Sequence, residues 1–187
     1  YEKIIEFPVL YTDLRNGTWV SSREAVVCET HDLQIYTSAF GQQTQIEKTV
    51  KSILLQLNKA VVEVYPNLKY LLKRGNVINI NSNEVITLLK NYPEVYVNLG
   101  RQIKIDLLQY LMQGTYREFS GLKLLPLHSH DFEAFSNESS EVFICNEKDV
   151  NLFPGLEHKF VSTNLPKSLH DELIKFSDSS IIFLFII

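Results

Sequence analysis

The sequence predicts an α+β fold, a mixed or antiparallel sheet built from N-terminal and C-terminal strands with central amphipathic helices packed on it. Three observations lead there. Apolar-rich runs flank an Asn16-Gly17 turn, the apolar spacing lengthens to three or four residues from Thr44, and strand-like runs return after Gly114.

The first third reads as strands because IIEFPVLY and TWVSSREAVVC enclose Asn-Gly, a dipeptide suited to the positive φ of a tight hairpin. Pro8 lacks an amide proton and belongs at an edge or a bulge. From Thr44, residues Ile46, Val50, Leu54, Leu57, Val61 and Val64 recur at helical spacing, predicting one long amphipathic helix that Pro66 cannot continue. Thr44 and Glu47 have the spacing of a capping box at its start. After the apolar piece VINI at 77–80, Asn81 can cap a second helix that carries Glu84 in its first turn and ends near Tyr92, before Pro93. Ile103, Leu107, Leu108 and Leu111 share one face of a third helix, which Gly114 terminates. LKLLPL, DFEAF and EVFIC then read as strands, followed by KFV after a Pro-Gly turn and a short helix from Ser168 to Phe176. The apolar run IIFLFII at 181–187 is shorter than the roughly 20 residues a membrane span needs, and we read it as a buried strand.

A chain of 187 residues, with 45% hydrophobic and 21% charged residues, is expected to fold as a single module over 1–187. It begins on Tyr1 and contains one methionine, so we expect an excerpt of a longer polypeptide. A net charge of -4 without a cluster of Lys or Arg argues against nucleic acid as a partner, and no membrane partner is expected. Cys28 and Cys145 lack the spacing of a zinc ribbon or disulfide framework. We expect buried free thiols, a reducing compartment and a cytoplasmic location.

The seven glycines, at 17, 41, 75, 100, 114, 121 and 155, form no phosphate-cradling loop, and no G-x-S-x-G elbow is present. No cofactor and no catalytic residue is therefore assigned. His128-Ser129-His130-Asp131 is the most chemically suggestive cluster, because alternate histidines on a strand face the same way and could offer two imidazoles to one metal. A catalytic metal needs a third ligand, and spacing alone places neither Glu157 nor His158 beside the pair. We expect a polar hairpin turn here. The alternative is a metal-dependent hydrolase in which His128, His130 and Asp131 hold a metal that activates water. His31-Asp32 and His170-Asp171 are expected at solvated positions, and Trp19 as a core anchor rather than a ligand-stacking platform.

GLKLLPLHSHDFEAF, EVFIC and LFPGLEHKFVSTNLP together resemble the repeat regions of the sacsin family of giant co-chaperone-like proteins. Leu124 and Pro126 lie in the family's leucine-rich strand, and Leu152, Phe153, Pro154, Gly155, Leu156 and Glu157 match its leucine-proline-glycine-leucine-glutamate signature, with Phe153 replacing the second leucine. FPVLYTDLRNGTWVSSREAVV, which carries Trp19, is similar to the segment where a tryptophan strand leads into an apolar one. These blocks cover a third to a half of the chain. The resemblance implies a non-catalytic scaffold module that follows an ATPase-like region or joins repeats. It also implies protein clients, heat-shock chaperones and neighbouring repeat domains as partners, in support of protein folding. The glycine-rich nucleotide motif of those ATPase regions is missing from this sequence, so ATP binding is not assigned. The His-rich turn departs from the family's small polar turn.

Overall fold

Side chains alternate along a strand, and in the first hairpin that alternation decides what is buried. The structure, a computed structural model, describes residues 10–12, 17–27, 45–62, 77–112, 119–136, 142–179 and 185–186. It divides into two compact units, 1–85 and 86–187. Pro8, Asn16, Cys28, His31, Asp32, Thr44, Val64, Pro66 and Gly114, with the expectations attached to them, lie outside the described residues.

In the first unit, β1 (Leu10–Thr12) pairs antiparallel with β2 (Thr18–Val20), setting Tyr11 opposite Trp19 and Thr12 opposite Thr18. Thr12 and Val20 point inward, and the buried Thr12 hydroxyl donates to the Val61 carbonyl at 2.7 Å. Their neighbours must therefore point out. Trp19 is 62% exposed and Tyr11 53%, packed edge to face at 5.5 Å, so Trp19 is not the core anchor expected of it. Gly17, at φ +95°, lies against the Tyr11 hydroxyl, where a Cβ would collide.

Ser21 leads into the next strand through a turn in which its amide and hydroxyl both donate to Glu24, at 3.0 and 2.8 Å. β3 (Ala25–Val27) is buried at all three residues and lies between β4 (Ala60–Val61) and β5 (Ile78–Asn79), parallel to both. A parallel neighbour requires a crossover, and α1 (Gln45–Gln56) lies in that connection, with Val50, Ile53 and Leu54 buried.

The expected long helix is thus cut short at Gln56. Asn58 takes the left-handed conformation, φ +54°, while its amide bonds to Leu55 and that of Lys59 reaches back to Leu54. Those two bonds form a Schellman cap, which satisfies the last carbonyls and turns Val61 from the predicted helix into β4.

α2 (Ser82–Asn91), in which the boundary between the units falls, begins as the sequence predicts. The Asn81 side chain accepts from the amides of Asn83 and Glu84, and Glu84 accepts in return from the Asn81 amide at 2.8 Å. In the second unit, α3 (Glu94–Val97) and α4 (Arg101–Leu111) follow, the latter burying Ile105, Leu107, Leu108 and Leu111, with Ile103 only partly covered.

β6 (Leu125–Pro126) pairs antiparallel with β7 (Phe132–Glu133). β8 (Phe143–Ile144) leads to α5 (Glu147–Val150), a 3-10 turn at Glu157–Lys159 and α6 (Lys167–Ser179). The apolar C-terminal run contributes β9 (Phe185–Ile186), parallel to β8. Helices with small sheets of mixed orientation give the expected α+β class. Among the described residues, the strands form four small sheets, each within one unit, rather than one sheet shared by the two ends of the chain.

Phe119, Phe135 and Phe176 centre the second unit's core, meeting edge to face at 5.2, 5.4 and 5.8 Å. Truncating Phe176 to Ala is expected to cost about 3–5 kcal/mol in urea unfolding. At the α1 cap, Asn58→Gly should leave the urea midpoint essentially unchanged, whereas Asn58→Val, which resists a left-handed φ, should cost about 1–2 kcal/mol.

Candidate functional site

Gly100 leads into α4 in extended backbone, φ -60° and ψ 154°, and no side chain caps the helix. Arg101 then places a cation at the helix's positive end, a position that opposes the macrodipole by about 0.3–1 kcal/mol. Its hydrogen bonds offset that. One guanidinium nitrogen donates to the His130 carbonyl at 2.8 Å, and the other to the Leu127 carbonyl and the Ser162 hydroxyl, both at 3.1 Å. The guanidinium also lies 5.5 Å from the centre of the Phe132 ring, and Lys104, one turn later, stands 4.9 Å from it. Burial lowers the Arg101 pKa and neighbouring Asp131 raises it, and the group stays charged. Burial, and then the like charge of Lys123, also lowers that of Lys104.

The two carbonyl acceptors of this fork belong to the His turn joining β6 to β7. Its backbone closes through the Leu127 amide on the Asp131 carbonyl at 2.9 Å and the His130 amide on the Leu127 carbonyl at 3.2 Å, with His130 at φ +71°. His128 and His130 therefore occupy a tight turn, as the hairpin reading expects, and not alternate positions of one strand. The Ser129 hydroxyl donates to Asp131 at 3.3 Å, and His130 and Asp131 are exposed. Among the described residues no group of three or more His, Cys, Asp and Glu side chains stands ready to hold a metal ion, so the metal-dependent hydrolase using His128, His130 and Asp131 is not supported.

The turn is also bonded to the segment that carries the second sequence signature. The His128 amide donates to the Phe160 carbonyl at 2.8 Å, the Ser129 amide to Glu157 at 3.2 Å and the Ser162 amide to Pro126 at 2.8 Å, while Leu127 bridges Val161. Leu124 and Pro126 are buried beneath, so the two blocks that carry the family resemblance, around 124–131 and 152–157, meet in space. Trp19, the remaining signature residue, belongs to the first unit.

The signature itself builds a loop closed by its own hydrogen bonds. Asn146 caps α5 by accepting from the amides of Lys148 and Asp149. The amides of Leu152 and Phe153 return to Asp149 and Val150, and that of Leu156 to Phe153 at 3.1 Å. Pro154 and Gly155, the latter at φ +90°, fill the central positions of that last turn. The Glu157 carboxylate accepts from the Gly155 amide at 3.0 Å. Donation by Gly155 and by its own amide, with lesser help from His128 and His158, holds its pKa below the ordinary 4.5.

Three large apolar side chains remain in solvent, Leu152 at 71% and Phe153 and Leu156 at 44% each. The base is firm. Phe153 packs on Phe160 at 6.0 Å, and Phe160 joins Cys145 and Val150 in a buried cluster. Cys145 is a buried free thiol, as expected, and burial followed by nearby Asp149 raises its pKa.

Arg101 is the residue that sequence reasoning misses. Its one signal was an uncapped glycine followed by a cation at a helix start, where an acid is favoured.

Fold and site together define an α+β chain whose second unit presents a braced apolar turn. The chain is 27% identical to sacsin of Homo sapiens over 150 residues, 73% of this chain and 3% of that protein. The similarity is thus to a small part of a far larger polypeptide. No family model matches the chain, and no solved structure matches it.

Arg101→Lys keeps the charge but cannot span three acceptors, and should lower stability by about 1–2 kcal/mol and speed amide exchange at Ser129 and His130. Because the folded pKa of Glu157 is depressed, its contribution is present in full above the ordinary 4.5 and is lost as pH falls through the folded value. Urea midpoints measured from pH 6 to pH 3 should accordingly fall less steeply for Glu157→Gln than for the parent.

Proposed function

We propose that this chain is a non-catalytic scaffold module of a sacsin-like co-chaperone, which meets protein clients or heat-shock chaperones through the apolar turn at 152–156. The module sits among neighbouring repeat domains of a cytoplasmic parent protein. What carries this reading is the similarity to sacsin over 73% of the chain, and the exposed turn falls within a signature that the family resemblance singles out. The non-catalytic part rests on the sequence, which lacks a nucleotide loop and a nucleophile elbow. ATP-dependent work is assigned to regions outside this chain.

The turn suits protein contact on physical grounds. Single exposed leucines are ordinary on any surface, but three large apolar side chains within five residues form a patch whose burial by a partner is favourable. Burying one leucine side chain contributes about 1.5–3 kcal/mol, so a contact using Leu152 and Leu156 gains enough to change affinity more than tenfold.

The test adds the 187-residue chain to a thermally denatured enzyme and follows light scattering, alongside binding measurements with heat-shock chaperones. We expect suppression of aggregation or chaperone binding, and at least a tenfold loss of potency in the double variant Leu152→Asp, Leu156→Asp at unchanged melting temperature. If the chain neither slows aggregation nor binds a chaperone, the co-chaperone reading is abandoned and a purely structural spacer takes its place. Equal potency in the double variant would move the contact away from the turn.

A further inference from the structure

We draw no further inference here: the strongest candidate, the solvent-facing aromatic pair Tyr11 and Trp19 on the β1–β2 hairpin, is an unpartnered face and nothing in the structure shows what covers it.

Discussion

The Arg101 guanidinium is the interaction on which the second unit's surface architecture depends. Its three acceptors lie 26, 29 and 61 residues away in sequence, so one side chain ties the start of α4 to both ends of the His turn and to the segment at Ser162. A hydrogen bond to a charged group contributes about 1.5–3 kcal/mol, with the lower end apt for a partly exposed group. Three such bonds outweigh the unfavourable placement at a helix N-terminus. The Phe132 ring beneath leaves the planar fork few other directions, which lowers the entropy lost in making the bonds.

From that anchor the order passes along the backbone. The His turn is closed on itself and bonded to 157–160, and the 157 side chain closes the Pro154-Gly155 turn. Each link uses a main-chain group that would otherwise compete for water, so the chain from Arg101 to Gly155 leaves little backbone freedom in the loop. The apolar tips of Leu152, Phe153 and Leu156 are consequently held up by polar bonds beneath them, together with the packing of Phe153 on Phe160.

Local features were legible in the sequence. The Asn81–Glu84 cap depends on residues three apart, and the Pro154-Gly155 turn on two adjacent ones, so their chemistry is complete within a short window. The end of α1 was not legible from periodicity, because Leu54, Leu57, Val61 and Val64 keep helical spacing across a helix-to-strand junction. The cue lay in Asn58, a residue that tolerates positive φ. Trp19 failed for a different reason. Alternation establishes that Tyr11 and Trp19 share a face, but which face is buried depends on Thr12 meeting Val61, 49 residues away. The parallel arrangement of β3 has the same origin, in partners that no local pattern identifies. In the candidate site the two signature blocks were visible as sequence, whereas their meeting and the guanidinium that braces them are long-range facts.

A braced apolar turn differs energetically from a flexible one of the same composition. Ordering one backbone residue costs about 1–2 kcal/mol, and immobilising a side chain at an interface roughly 0.5–1.5 kcal/mol more. In the 152–156 turn the backbone term is met during folding, by the bonds from Leu152, Phe153 and Leu156 and by the Glu157 carboxylate on Gly155. Phe153 has also lost freedom already, through its contact with Phe160. A partner covering this surface would therefore spend less of the free energy of burying Leu152 and Leu156 on fixing the loop. Composition alone would make 152–156 sticky; the polar scaffold under it makes the same residues a surface of defined shape.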